Sequence, residues 1–234
     1  MTRIARVHAR QIFDSRGRPT VEVDIETDDG ALGRASVPSG ASTGSSEAWE
    51  LRDGTNEYAG LSVRTAVGHV NGEIADAVLG HDVREQAALD KLMVELDGTA
   101  HLERLGANAI LGVSLAACRA AARSEHIPLY RWVAALAGTR PDLPMPMVNI
   151  LSGGLHAGRG MDVQDFLAVP ASATSMAEAI EMVSRVRSAA ADAVAARGLS
   201  TLLADEGGLS PGLETGRAAL ELMVEAIERA RFVP

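Results

Sequence analysis

"MPMVNILSGGLHAGRGMDVQDFLAVP", residues 145–170, holds two short apolar runs, "MPMVNILSGG" and "VQDFLAVP", joined by glycines. Each run has the length and alternation of a buried strand that ends in a loop. Within the second, Gln164 and Asp165 put a carboxamide and a carboxylate side by side where packing asks only for apolar residues. Polar groups at strand ends that open into loops are where barrel enzymes place their reacting side chains. Downstream, Ser175 and Glu178 form a capping box, "SMAE", at the head of a helix whose apolar stripe runs through Met176, Ala179, Ile180, Val183 and Val186. After "GLSTLLADEGGLSPG" a second amphipathic helix carries Leu220, Met223, Val224 and Ile227 on one side.

Upstream the pattern differs. "TVEVDIETDDG" alternates Val21, Val23 and Ile25 with Glu22, Asp24 and Glu26 before an Asp29-Gly30 turn, which predicts a hairpin with one wet face. From about Ala59 to Trp132 the period becomes helical, and "GANAILGVSLAACRAAARSE" is rich in the small residues found where helices pack closely. "AGTRPDLPMPMVN" has three prolines and reads as a linker. Two domains are expected, 1–138 and 139–234.

The chain has 234 residues, 47% hydrophobic and 23% charged, which suits a globular protein with a sizeable core. With 31 acidic and 22 basic side chains, the net charge of −9 repels phosphate backbones, so nucleic acid is not an expected partner. No run of about eighteen apolar residues occurs and the N-terminus has no signal-like stretch, so a cytoplasmic protein without a membrane span is expected. Cys118 is the sole cysteine and reads as a small buried thiol. Lys91 is the sole lysine.

Three polar stretches resist a packing explanation. "VPSGASTG", residues 37–44, is either a loop able to close on a ligand or a simple turn. "SGGLHAGRG", residues 152–160, sets His156 among glycines but lacks both the P-loop and the dinucleotide spacing. "ADEGGL", residues 204–209, places Asp205 and Glu206 before paired glycines. The histidines have no metal-ligand spacing, so any metal would be a hard cation held by oxygen.

In "DSRGRPTVEVDIET", "VPSGASTGSSEAWELRDG", "LGANAILGVSLA" and "DEGGLSP", taken in that order, the chain resembles the enolase family over almost its whole length. The resemblance implies an α+β N-terminal domain, a three-stranded meander plus helices, followed by the ββαα start of an enolase-type α/β barrel that is incomplete in this chain. It implies Mg2+-dependent dehydration of 2-phosphoglycerate to phosphoenolpyruvate in glycolysis, by a homo-oligomer, dimer or higher. By position, Glu206 matches the acid that protonates the departing hydroxyl, and Asp165 is grouped with it as catalytic. His156, Gln164 and Asp165 match substrate-binding residues, and Ser39 matches a ligand of the second magnesium. Asp14 and Arg16 of "DSRG" match a dimer contact, though a surface turn pair reads equally well.

The chain also departs from the family. Asp165 stands where the family has glutamate, one methylene longer, and a shift on the order of 1 Å can cost roughly a hundredfold in rate. Ser152, Leu155 and Arg159 alter the histidine loop. The family's lysine base and main magnesium carboxylates lie beyond residue 234, so this span alone is expected to be inactive. A divergent enzyme of phosphonate metabolism, such as a carboxyphosphonoenolpyruvate synthase, is one alternative. A non-catalytic truncated scaffold is another.

Overall fold

The structure is a computed structural model that describes residues 1–40, 44–157 and 161–234; the side chains of Leu155 and His156 also lie outside the described set. Cα proximity divides the chain into two compact units, Met1–Pro141 and Asp142–Pro234.

In the first unit β1 (Ile4–Phe13), β2 (Pro19–Thr27) and β3 (Leu32–Ser36) form an antiparallel meander in the order β1-β2-β3. Val21, Val23 and Ile25 are fully buried on one face of β2, as the alternation predicts. The other face is an ion-paired ladder: Arg10 reaches Glu22 at 2.5 Å and also contacts Asp24, and Arg34 Nε meets Asp24 at 2.5 Å. Side chains directly opposite on adjacent strands are close enough to pair, and here the signs are complementary.

α1 (Arg64–His69) passes through a π-turn at Val70–Ile74 into α2 (Ala75–Val78); α3 (Gln86–Asp97), α4 (Ala107–Ser124) and α5 (Leu129–Leu136) follow. The small-residue surface of α4 packs on the sheet, and the helix also meets α3 and α5. A methyl group on Gly112 would lie 2.7 Å from Val23 Cγ2, and one on Gly33 would lie 2.0 Å from the Ala116 carbonyl, so these two glycines set the distance between helix and sheet. Outward-facing carbonyls of β3 are also covered by α4: Arg123 donates to Leu32 O at 2.5 Å and Arg119 to Arg34 O at 3.1 Å. Two arginines one helical turn apart thus cap alternate carbonyls of an edge strand, which blunts it against pairing with another chain.

Asp53 supports the head of α1 from outside the helix, accepting from Arg64 N at 2.9 Å and Thr65 N at 3.0 Å. Burial acts to raise its pKa, but hydrogen bonds from Ser62, Thr65 and Arg64 outweigh it and leave the carboxyl at about 2. Because the folded value lies below the unfolded one, near 3.9, this contribution is present above about pH 4 and is lost as pH falls toward 2. Asp53→Ala is expected to cost about 1 kcal/mol at neutral pH and to flatten the loss of stability between pH 4 and 2, measured by urea unfolding.

In the second unit β4 (Val148–Ser152) and β5 (Asp165–Ala168) pair antiparallel, followed by α6 (Met176–Ala196) and α7 (Gly216–Arg229). This is the ββαα order. Ser175 Oγ accepts from Glu178 N at 3.2 Å, while the Glu178 carboxylate reaches Thr174 N at 2.7 Å, one residue further back than a simple capping box requires. Two helix faces differ from the sequence reading. On α6, Ala179, Val183 and Val186 are buried but Ile180 is 52% exposed. On α7 the buried face is Ala219, Leu222, Met223 and Ala226, while Leu220 and Val224 face outward. Alanines let the helices approach closely, so the tight contact falls on small residues and the bulkier stripe is displaced from it.

Candidate active site

In the second unit the site starts from an irregularity. β4 and β5 pair Asn149 with Leu167 and then Leu151 with Phe166, so Ile150 is an extra residue on β4. Side chains alternate faces along a strand, so Asn149 and Ser152, three apart, would otherwise point opposite ways. The bulge brings them together. Asn149 Nδ2 donates to Ser152 Oγ at 2.9 Å and to Asp165 Oδ1 at 2.7 Å, and Gln164 Nε2 donates to Asp165 Oδ2 at 3.1 Å. Asp165 is therefore held from both sides, and Gln164 lies beside it at the strand end. Asn149 Oδ1 is buried with no hydrogen-bond partner among the described residues. A buried acceptor of that kind is costly and is tolerated mainly where it serves a purpose.

The segment holding Glu206 lies next to β4. Leu203 and Leu209 bridge across a tight turn in which Gly207 N donates to Ala204 O at 2.9 Å, and Leu209 bridges Leu151 in parallel. Leu209 N donates to Ile150 O and Ser152 N to Leu209 O, both at 2.9 Å. Gly208 is thereby pressed against the polar group: a Cβ there would sit 2.3 Å from Ser152 Oγ. Glu206, two residues earlier, is exposed on the turn.

The glycine-rich loop is closed at both ends by backbone bonds, Gly153 N to Gln164 O at 2.7 Å and Gly154 N to Met161 O at 2.8 Å. Gly153 admits no side chain, since a Cβ would meet Val163 O at 2.3 Å. His156 lies in the short turn Gly154–Ala157, its side chain outside the described residues, as is Arg159 altogether. Around β4, β5 and the 203–209 turn, the structure thus gathers Asn149, Ser152, Gln164 and Asp165, with Glu206 on the adjoining turn. Asn149 went unnoticed in the sequence because its role depends on the bulge. Asparagine inside an apolar strand was the available signal.

Ser39 belongs to the first unit and is partly buried. Its Oγ accepts from Arg52 Nη2 at 3.0 Å and donates to Glu50 Oε2 at 3.2 Å, and its carbonyl accepts from Arg16 Nη2 at 2.5 Å. Asp14 shapes this arrangement by accepting from the backbone N–H groups of Arg16 and Arg18, at 2.8 and 2.9 Å, and from the Arg16 guanidinium. The Arg18 N–H above all, with Arg16, holds the Asp14 carboxyl below its usual range against the opposing effect of burial. Within this unit the "DSRG" turn braces Ser39 through Arg16. Glu50 and Arg52 were not singled out in the sequence, although both lie in the motif "VPSGASTGSSEAWELRDG".

Among the described residues, no group of three or more His, Cys, Asp or Glu is placed to hold a metal ion. Both Ser39 oxygens are taken by guanidinium groups, so as arranged these residues do not fit a metal. No described helix is long and apolar enough to cross a membrane.

The family model described as "Enolase, N-terminal domain" matches residues 4–133, and that described as "Enolase, C-terminal TIM barrel domain" matches residues 141–234. Enolase 1 of Lactococcus lactis subsp. cremoris (strain SK11) is 52% identical over 231 residues, covering 99% of this chain and 54% of the relative. Enolase 2 of Lactococcus lactis subsp. lactis (strain IL1403) is 51% identical over the same length, with the same coverage. The chain spans about half the length of these curated relatives.

Proposed function

This chain belongs to the enolase family, and from that premise we propose that it supplies one half of a magnesium-dependent site that dehydrates 2-phosphoglycerate to phosphoenolpyruvate. The observation that carries this reading is the polar group at the β4 and β5 ends, where Asn149 and Gln164 fix Asp165 beside an unsatisfied buried acceptor. Glu206, as general acid, protonates the hydroxyl as it leaves C3. Gln164 and His156 bind the phosphorylated acid, and Asp165 orients the groups around it. The lysine base and the main magnesium carboxylates come from sequence outside residues 1–234. Such an enzyme acts in the cytoplasm as a dimer or larger homo-oligomer.

Asp165 favours one second reading, a related phosphonate substrate, because its shorter side chain is already engaged on both oxygens. Residues 1–234 joined to the remaining C-terminal length of Lactococcus lactis Enolase 1 provide the test. Magnesium-dependent formation of phosphoenolpyruvate from 2-phosphoglycerate is expected. Turnover only of a phosphonate analogue would establish the second reading instead.

A further inference from the structure

Two groups hold the Asp165 carboxylate, and they differ in kind. Gln164, 3.1 Å from Oδ2, is an exposed side chain that gains freedom by letting go. Asn149 has no such freedom: the two protons on its Nδ2 are both committed, one to Asp165 Oδ1 at 2.7 Å and one to Ser152 Oγ at 2.9 Å. Turning the amide would break both bonds. Its Oδ1 is buried with no hydrogen-bond partner among the described residues, so the donor end alone sets its orientation. We infer that Asn149 and Ser152 are positioning residues for the proposed dehydration, which fix Asp165 and the turn bearing Glu206 relative to one another.

Ser152 is the joint between the two. It is 1% exposed, and its N–H donates to Leu209 O at 2.9 Å while Leu209 N donates to Ile150 O at the same distance. Its hydroxyl therefore lies where β4 meets the returning arm of the 203–209 turn. On that arm a Cβ at Gly208 would sit 2.3 Å from Ser152 Oγ and 3.0 Å from Asn149 Oδ1, so glycine lets the arm close directly onto the pair. One buried hydroxyl thus touches the strand side, through Asn149 to Asp165, and the turn side, two residues from Glu206. Close-packed interiors transmit displacement, so a change at Ser152 or Gly208 reaches both carboxylates. The sequence marks Ser152 only as a departure within the histidine loop.

The inference rests on the enolase reading for the reaction, but not for the joint itself. Exchange of the Asn149 side-chain amide protons with water can be followed by NMR on the 234-residue chain without metal or substrate. It should rise about tenfold in Asp165→Ala, the loss of a hydrogen bond to a charged group, and by a smaller factor in Ser152→Ala. Unchanged exchange in either variant overturns the joint. In the joined protein, assayed on whichever of 2-phosphoglycerate or the phosphonate analogue the parent turns over, Asn149→Ala should lower kcat about a hundredfold with little change in KM. Because Asn149 acts through Asp165, Asn149→Ala combined with Asp165→Ala should lose no more than Asp165→Ala alone. Gly208→Ala should lose at least as much as Asn149→Ala, and Ser152→Ala in the same chain, by removing the nearest atom, should recover about tenfold. No recovery overturns the link to the Glu206 turn. Additive losses, a rise in KM alone, or a fall in unfolding temperature that accounts for the lost rate overturns the positioning role. A parent joined protein inactive on both substrates counts against the enolase reading, while the amide exchange still decides the joint.

Discussion

Gly33→Ala is expected to unfold Met1–Pro141 or to leave it with a fraction of its stability. The added Cβ would lie 2.0 Å from the Ala116 carbonyl, 2.4 Å from Ala120 N and 2.9 Å from Ala120 Cβ. Two of these atoms are backbone, so no rotamer change relieves the clash. Either α4 moves off β3 or the sheet bends, and both open the core that contains Val23, Ala35, Ala116 and Ala120. Overpacking against movable side chains costs about 1–3 kcal/mol, so a clash with backbone is expected to cost at least about 3 kcal/mol, a large share of a typical domain's stability. Gly68→Ala serves as the control. It lies in α1 with open space around its would-be Cβ, and its loss of chain entropy should raise stability by about 0.5–1 kcal/mol. Urea unfolding of the two variants should therefore move in opposite directions.

Glu206→Gln in the joined protein is expected to lower kcat by about a thousandfold with little change in KM. The substitution keeps shape and hydrogen-bonding capacity but removes the transferable proton, and a well-placed general acid is worth about 10²–10⁴ in rate. An interaction used only in the transition state lowers kcat and kcat/KM together, whereas a binding contact raises KM. Equal kcat for variant and parent would move the acid role to another residue. Glu206 sits on the turn whose return arm, through Leu209, is hydrogen-bonded to β4, so its backbone is fixed even though its side chain is exposed.

Much of this fold could be read from residue patterns because the relevant forces are local and periodic. The alternation of Val21, Val23 and Ile25 with charged residues marked β2, and Ser175 with Glu178 marked the start of α6. The faces of α6 and α7 were harder to read. Side-chain size placed Ile180, Leu220 and Val224 inside, but close approach between helices favours alanine, and that preference appears only once the helices are packed. Small residues in α4 indicated close packing between helices, and α4 does meet α3 and α5, but its contact with the sheet left no sign in the sequence.

The site was legible in part for a related reason. Gln164 and Asp165 stood out as polar residues in an apolar strand, and the structure joins them by a hydrogen bond. Asn149 and Ser152 become neighbours only through the bulge at Ile150, a register shift that no residue of β4 announces. The contact of Arg16 with the Ser39 carbonyl, a backbone group 23 positions away, was not legible in the sequence. Contacts from side chain to distant backbone leave no spacing rule to follow.

The central claim is that these polar groups are half of an enolase site completed by sequence outside residues 1–234. The most direct measurement is phosphoenolpyruvate formation from 2-phosphoglycerate with Mg2+, by the 234-residue chain alone and by the same residues joined to the rest of the Lactococcus lactis relative. The account predicts no turnover by the first and magnesium-dependent turnover by the second. Activity in the isolated chain, or a folded joined protein that turns over neither 2-phosphoglycerate nor a phosphonate analogue, would contradict it.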